Sequence, residues 1–128
     1  MAPSYGDARG VLIVEDEVMI AILLKSVLED AGIPVSGVAH SAVEALDLAR
    51  AIRPKTALID IRLGPGPDGI QVAERLLDAY GCKTVFASGS GERETVERAN
   101  RVPGSMFLQK PVDPKRLVRC IRDAMAAG

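Results

Sequence analysis

Five short apolar runs alternate along the chain with five longer stretches in which apolar residues recur at helical spacing. The short runs favour β-structure and lie at residues 10–14, 34–38, 56–59, 84–86 and 106–109. Strict alternation of strands and helices is typical of a parallel sheet whose crossover helices cover both faces. The pattern therefore predicts an α/β fold: a doubly wound, five-stranded parallel sheet with five helices.

The helical stretches begin and end at recognisable sequence signals. The first is predicted to begin near Glu17 and to end at Gly32, a residue suited to a left-handed cap. Its sheet-facing stripe is predicted to consist of Ile20, Leu23, Leu24, Val27 and Leu28. The other helices are predicted at about residues 41–53, 68–80, 93–101 and from 113 onward, each beside a capping residue, a proline or a glycine.

Composition excludes several classes of protein. The 128 residues suit one domain, and 48% hydrophobic residues are enough for a core without disulfides. A net charge of -1 gives no basic surface for direct nucleic-acid binding, and no apolar run is long enough to cross a membrane. Cys82 and Cys120 match no zinc or redox spacing and are interpreted as thiols. We predict a cytoplasmic protein with a flexible tail at residues 1–8 and a domain at residues 9–128.

Chemically active side chains follow the predicted strands. Glu15 and Asp16 come after the first strand, Asp60 after the third, Ser88 after the fourth and Lys110 after the fifth. The carboxyl ends of parallel strands meet at one edge of a sheet, where ligands bind in folds of this class. The sequence therefore predicts that these five residues lie together.

That combination of residue types favours phosphoryl-transfer chemistry. Three carboxylates in one pocket repel one another and need a cation, and oxygen ligands suit Mg²⁺. A carboxylate can also act as a nucleophile and form an aspartyl phosphate. Lys110 and Ser88 would supply the positive charge and the hydrogen-bond donor that a phosphoryl group requires.

Four segments in register resemble the receiver domain of two-component response regulators. They are residues 14–17 (VEDE), 58–61 (LIDI), 86–89 (FASG) and the pair Lys110-Pro111, and the resemblance covers nearly the whole chain. It implies the flavodoxin-like receiver fold with strand order 2-1-3-4-5. It also implies a signalling switch, not an enzyme, that catalyses only its own phosphorylation and dephosphorylation.

The resemblance assigns a phosphoacceptor and a metal site. Asp60 would accept a phosphoryl group from a sensor histidine kinase. Asp16 would bind Mg²⁺ (or Mn²⁺) directly, Glu15 would act largely through water, and Asp60 and the backbone carbonyl of Arg62 would be further ligands.

The resemblance also assigns a switch. Lys110 would bind the phosphoryl oxygens, and its peptide bond to Pro111 would be cis. Ser88 would donate to the phosphoryl group and move inward on activation. Phe107, three residues before Lys110, matches the aromatic residue that turns inward with it, although a Phe in the core of an edge strand is an alternative.

Two segments depart from the commonest receiver pattern. Residues 63–69 (LGPGPDG) replace the usual Met-Pro loop after the phosphoacceptor. Residues 85–91 (VFASGSG) resemble the FAT GUY subgroup, found with alphaproteobacterial sensor kinases, with Ser88 in place of its usual Thr. Arg62 and Ser90 lie two residues beyond Asp60 and Ser88, and we hypothesise that they tune the phosphoryl lifetime.

The function expected from these features is that of a phosphoacceptor which switches a partner-binding face. We expect a stand-alone regulator, or a phosphate sink or shuttle, that lacks a DNA-binding output domain. It would act through a downstream protein partner as a monomer or weak dimer. The other possibility is a piece of a longer regulator.

Other interpretations stay open at this point. Asp60 could cap a strand end, Glu15 and Asp16 could cap a helix, Ser88 could be a turn residue and Lys110 a surface ion-pair partner. His40 is interpreted as a solvent-facing loop residue. An aspartate-nucleophile hydrolase would resemble an Asp-x-Asp motif after the first strand, and a flavodoxin-like cofactor binder would need stacking aromatics, which are scarce here.

Overall fold

Five parallel strands form the centre of the structure, a computed structural model that describes residues 10–89 and 91–127. They lie in the order β2-β1-β3-β4-β5, so the predicted fold class and strand order are confirmed. The predicted tail at residues 1–8 lies outside the described residues. The strands are β1 (Val11–Val14), β2 (Val35–Ala39), β3 (Thr56–Asp60), β4 (Lys83–Ser88) and β5 (Met106–Gln109).

Each strand is followed by a helix, and each helix begins or ends near a predicted signal. Within the described ranges, no helix has the length and apolarity needed to cross a membrane. The helices are α1 (Val18–Asp30), α2 (Ala42–Ile52), α3 (Gly69–Tyr80), α4 (Arg93–Asn100) and α5 (Pro114–Ala127).

Two hydrophobic clusters cover the two faces of the sheet. Because successive strand residues point to opposite faces, Val11 and Ile13 pack with α1 and α5, while Leu12 and Val14 pack with α2 and α3. All four of these β1 side chains are fully buried. Because β1 is apolar along its whole length, the polar residues that follow it, Glu15 and Asp16, lie beyond its carboxyl end.

Side-chain caps define the starts of α2 and α3. The Ser41 hydroxyl accepts a hydrogen bond from the backbone N–H of Glu44 at 3.1 Å. Asp68 and Gln71 form a reciprocal capping box at the start of α3. Asp68 also accepts a hydrogen bond from Arg98 of α4 at 2.9 Å, which ties α4 to the loop that precedes α3.

The sheet-facing stripe of α1 differs from the prediction at one position. Ala21, Leu24 and Leu28 are buried, whereas Leu23 is 62% exposed. Residues 18–24 are all apolar, so the hydrophobic pattern there does not define which side of the helix faces the sheet. Packing against the sheet instead leaves four apolar side chains exposed on α1, namely Val18, Met19, Ile22 and Leu23.

Both cysteines are free thiols, as predicted. Cys82 is buried between α3 and β4, and burial raises the pKa of its thiol to about 12. A thiol with so high a pKa stays protonated at neutral pH and is a poor nucleophile or metal ligand. Cys82 therefore acts as a core residue.

Candidate functional site

Three carboxylates meet where β1 and β3 end. Val14 pairs with Ile59 in the parallel ladder, so the residues that follow them, Glu15 and Asp60, are neighbours across the two strands. Oxygen atoms of Glu15, Asp16 and Asp60 lie within 4.8 Å of one another. Glu15 is 1% exposed and Asp60 is 7% exposed, whereas Asp16 is open to solvent. The sheet edge thus concentrates negative charge in a largely buried place.

Lys110 places one positive charge against two of these carboxylates. Its Nζ donates to Glu15 Oε1 at 2.7 Å and to Asp60 Oδ2 at 3.3 Å. Its backbone N–H donates to the carbonyl oxygen of Ser88 at 2.8 Å, which fixes the end of β5 beside the end of β4. The Lys110-Pro111 peptide bond is cis, as the resemblance implied.

Burial and charge shift the protonation of this pair. Burial raises the pKa of Glu15 to about 7, although the hydrogen bond from Lys110 opposes the rise. Burial lowers the pKa of Lys110, but the hydrogen bond to Glu15 and the charge of Asp60 outweigh it, so the pKa of Lys110 lies above its usual value. The lysine therefore stays charged, and burial makes the Glu15 carboxyl group resist ionisation.

Backbone groups hold Asp60 from the other side. Its Oδ1 accepts a hydrogen bond from the N–H of Arg62 at 3.2 Å. The N–H of Gly69 donates to the carbonyl oxygen of Ile61 at 2.7 Å, which pulls the first residue of α3 onto the end of β3. A Cβ atom at Gly69 would overlap the carbonyl oxygen of Asp60. Only glycine therefore fits where α3 passes the phosphoacceptor candidate.

An open cavity of about 590 Å³ lies over the carboxylates. Asp16, Asp60, Arg62 and Lys110 contribute to its lining, so the candidate residues from three strand ends face the same space. The cavity leaves room for a small anion or a metal ion with its water ligands beside Asp60.

Ser88 and Phe107 lie close to this edge. Ser88 is the last residue of β4 and is buried. Phe107 is half-buried, pairs with Phe86 in the β4–β5 ladder and packs against the cluster on the α3 side of the sheet. The switch roles of both residues stay predictions. Ser90, which we paired with Arg62 as a tuning residue, lies outside the described residues.

A family model described as the response regulator receiver domain matches residues 11–122 of the chain. The chain belongs to this family. Receiver domains are signalling switches of two-component systems and not conventional enzymes, which decides against the hydrolase and cofactor-binder alternatives. They bind Mg²⁺ at an acidic pocket, and the acidic cluster at the end of β1 and β3 has the matching residue types.

Three similar proteins illustrate the relationship. The transcriptional regulatory protein PdtaR of Mycobacterium tuberculosis is 30% identical over 118 residues, which cover 92% of this chain but only 57% of PdtaR. The chemotaxis protein CheY of Thermotoga maritima is 28% identical, with 88% of this chain and 94% of CheY covered. The signal receiver domain of a diguanylate cyclase from Desulfovibrio desulfuricans superposes with a TM-score of 0.83 at 39% identity, covering 92% of this chain and 94% of that one.

The donor set of this receiver domain fits a hard divalent cation. Carboxylate oxygens from Glu15, Asp16 and Asp60 converge on one place, and hard cations such as Mg²⁺ take oxygen ligands and keep several waters. A single lysine does not neutralise three carboxylates, so a bound cation would also relieve repulsion within the cluster.

Sequence reasoning missed the contact made by His40 and overlooked Gly69. His40 lies in the loop after β2, as interpreted, but it is half-buried and its ring Nδ1 lies 3.0 Å from the carbonyl oxygen of Glu15, so its side chain does not simply face solvent. The reason is that β2 ends beside β1, which brings the residue after each strand into contact. The sequence signal that could have identified Gly69 is a glycine at the first position of a helix, directly after the cap residue Asp68.

The raised pKa of Glu15 predicts how stability depends on pH without a divalent cation. The folded protein holds this proton up to about pH 7, whereas the unfolded chain loses it near 4.5. The folded state thus binds more protons between these values, and the free energy of unfolding should fall across that range as pH rises, by on the order of 3 kcal/mol. Urea unfolding at several pH values measures this.

Glu15→Gln is the control for that measurement, because it keeps the shape of the side chain and removes its titration. The variant should show a shallower fall with pH. Mg²⁺ should stabilise the wild type more as pH rises, since protons compete with the cation for Glu15. Equal pH slopes for the two proteins would refute the assignment of this proton to Glu15.

Proposed function

We propose that Asp60 of this receiver domain accepts a phosphoryl group from a histidine kinase and thereby switches a partner-binding face. Mg²⁺ would be held by the carboxylates of Glu15, Asp16 and Asp60 and by the backbone carbonyl of Arg62. The observation that carries the proposal is the placement of Lys110 and three carboxylates at one sheet edge, beneath an open cavity.

Differences in exposure and contacts among the three carboxylates support Asp60 as the phosphoacceptor. Glu15 is enclosed, and its two oxygens are engaged by Lys110 and by the N–H of Glu17. Asp16 is exposed, and its side chain makes no ion pair with Lys110. Asp60 lines the cavity together with Asp16 and contacts Lys110, so a phosphoryl group on Asp60 would lie near both a proposed metal ligand and the lysine.

The transfer needs only residues at this edge and the donor. A carboxylate oxygen of Asp60 would form a bond to phosphorus as the bond between phosphorus and the donor's imidazole nitrogen breaks, and that nitrogen keeps the electron pair and takes up a proton. Mg²⁺, when bound, supplies positive charge to the phosphoryl oxygens. Lys110 would exchange its contact with Glu15 for one with these oxygens, and the Ser88 hydroxyl would donate to them.

The direct test is phosphorylation in solution. Incubation with Mg²⁺ and a small phosphodonor such as phosphoramidate should add one phosphoryl group, seen by intact-mass spectrometry. Chelation of the cation should prevent it. Absence of an adduct under conditions in which a known receiver domain is labelled would contradict the proposal.

The exposed apolar side chains of α1 are a candidate surface for the phosphodonor. This α1 patch consists of Val18, Met19, Ile22 and Leu23. Leu23 also lines an apolar cavity of about 410 Å³ together with Pro111 and Val112, and Ile20 and Lys110 line both this cavity and the one over Asp60. A donor that brings its phosphoryl group to Asp60 must rest its own surface beside that opening, so we propose that the kinase packs on the α1 patch.

Substitution in the α1 patch should slow phosphorylation by the kinase but not phosphorylation by a small phosphodonor. Leu23→Ser removes an apolar contact worth about 1.5–3 kcal/mol when buried by a partner, so transfer from the cognate kinase should slow about tenfold or more. Phosphorylation by phosphoramidate should be unchanged because that donor needs no docking surface. Rates of label transfer from the kinase and from the small donor measure the difference.

Val43→Ser provides the matched control for that prediction. Val43 is 66% exposed, close to the 62% of Leu23, but it lies on α2. This variant should be phosphorylated normally by both donors. Equal slowing of kinase transfer in the two variants, or none in Leu23→Ser, would exclude the α1 patch as the docking surface.

The finer features of the regulator are also proposals. A role as a stand-alone regulator, phosphate sink or shuttle is compatible with CheY, which the chain matches over 94% of its length, whereas the chain spans only 57% of PdtaR. Membership of the FAT GUY subgroup rests on residues 85–91 alone. A phosphotransfer profile against candidate kinases tests which of these roles applies.

A further inference from the structure

Every polar atom of Glu15 is engaged in a hydrogen bond. Its side chain is held by Lys110 and by the N–H of Glu17. Its backbone is held from the end of β2: its N–H donates to the carbonyl oxygen of Ala39 at 2.9 Å, and its carbonyl oxygen contacts His40 Nδ1 at 3.0 Å. The proposed function involves neither backbone contact, and of these two the contact with His40 comes from a side chain.

His40 supplies a donor at a point where the sheet can no longer do so. In a parallel ladder, a residue that donates to Ala39 would accept from the N–H two residues further along the partner strand, which here is Ser41. Ser41 has already turned out of the sheet to cap α2. A carbonyl oxygen can only accept, so His40 must carry its proton on Nδ1, and the ring takes the place of the missing backbone donor.

The histidine itself is fixed by the start of α2. Its backbone N–H donates to Glu44 Oε1 at 3.1 Å, and the N–H of Glu44 donates to the Ser41 hydroxyl at 3.1 Å. The capping interactions of α2 therefore continue through His40 to the end of β1. Because the backbone of His40 is already held and its ring is half-buried, the side chain loses little conformational freedom when Nδ1 forms its hydrogen bond.

The carbonyl group of Glu15 belongs to the peptide bond that leads into Asp16. Fixing this oxygen fixes the peptide plane, and with it the position from which the Asp16 side chain leaves the backbone. Asp16 makes no ion pair among the described residues, so its placement depends on its backbone. Mg²⁺ demands near-octahedral geometry, so the direction of each ligand matters.

We propose that His40 is a positioning residue for the divalent cation, which orients Asp16 by holding the peptide bond between Glu15 and Asp16. The inference rests on the proposed function, because it assumes that the acidic cluster binds Mg²⁺. Residues that orient metal ligands through a hydrogen bond typically contribute about 10- to 100-fold to metal affinity. His40 contributes without contacting the metal.

Two substitutions of His40 separate its hydrogen bond from its bulk. Asparagine can place an amide N–H close to the position of Nδ1, whereas leucine fills similar space and donates nothing. His40→Leu should raise the dissociation constant for Mg²⁺ about tenfold or more, and His40→Asn should stay close to wild type. Calorimetric titration with MgCl₂ measures both.

Two further readouts distinguish positioning from general damage. Without Mg²⁺, amide hydrogen exchange at Asp16 should be faster in His40→Leu than in wild type. With phosphoramidate, His40→Leu should need more Mg²⁺ for half-maximal phosphorylation yet reach a similar rate at saturating Mg²⁺. If His40 only supported folding, its substitution would not specifically change either hydrogen exchange at Asp16 or the Mg²⁺ concentration for half-maximal phosphorylation.

Ser41→Ala is the control for loss of the α2 cap. It removes the cap acceptor but leaves the ring and the hydrogen bond from His40 to Glu44, so it should lower the melting temperature and weaken Mg²⁺ binding much less than His40→Leu does. Should His40→Leu fail to fold, Glu44→Ala takes its place, because it frees the backbone of His40, and weakened Mg²⁺ binding beyond that of Ser41→Ala is then expected.

The outcomes are distinguishable from failure of the proposed function. A wild-type protein that binds no Mg²⁺ overturns the proposed function, and with it the inference. A wild type that binds Mg²⁺ no better than His40→Leu, or a loss in His40→Asn as large as in His40→Leu, overturns the role of His40 alone.

Discussion

Asp60→Asn should abolish phosphorylation of this receiver domain by both a kinase and a small phosphodonor. An amide has no carboxylate oxygen to attack phosphorus, and Asp60 is the carboxylate that, among the described residues, both lines the cavity and forms an ion pair with Lys110. The labelled fraction in intact-mass spectra should drop to background. The fold should persist, because asparagine has the same shape and its side-chain oxygen can still accept the hydrogen bond from Arg62.

Asp68→Asn is the matched control for this prediction. Asp68 lies at the end of the loop that follows Asp60, but it caps α3 and pairs with Arg98, outside the acidic cluster. Its variant should still take up one phosphoryl group.

Asp60→Asn should also be at least as stable as wild type without Mg²⁺, since it removes one of three mutually repelling carboxylates. An adduct that survives in Asp60→Asn would mean that another residue is the acceptor.

Gly69→Ala should have the largest effect on the structure of the site. The added methyl group would overlap the carbonyl oxygen of Asp60 and lie 2.8 Å from both Ile59 Cγ2 and the Cα of Ile61. Two of these three atoms are backbone, so either the end of β3 or the whole start of α3 must shift. We expect a loss of about 1–3 kcal/mol in the free energy of unfolding, together with slower phosphorylation of the displaced Asp60. Urea unfolding and the rate of labelling by phosphoramidate measure the two effects.

Gly89→Ala is the control, because a methyl group there meets no atom of the described residues within 4 Å, its chain neighbours apart. Its free energy of unfolding should stay within about 0.5 kcal/mol of wild type. Equal stability of the two alanine variants would show that α3 can move away from β3 at little cost, and that the close approach at Gly69 does not hold Asp60 in place.

The receiver fold was predictable because its signals are local and repeated. Each strand reads as a short apolar run, and helix starts such as Ser41 and Asp68 carry their own caps. The grouping of Glu15, Asp60 and Lys110 was also predictable, since the carboxyl ends of parallel strands share one edge whatever the details of packing. The exposure of Leu23 was not predictable, because the seven residues 18–24 are all apolar and no polar position among them marks the side of α1 that faces solvent.

The sequence by itself determined the fold class and which residue types meet at the phosphorylation edge, because periodicity and strand-end position are properties of the chain. Only the tertiary structure decided how those residues are held. The contact of His40 with Glu15, the fit of Gly69 against Asp60 and the exposed face of α1 each depend on how neighbouring elements approach in space. Such contacts join residues of different elements. The periodicity and strand-end positions of single residues do not specify how closely two backbones approach.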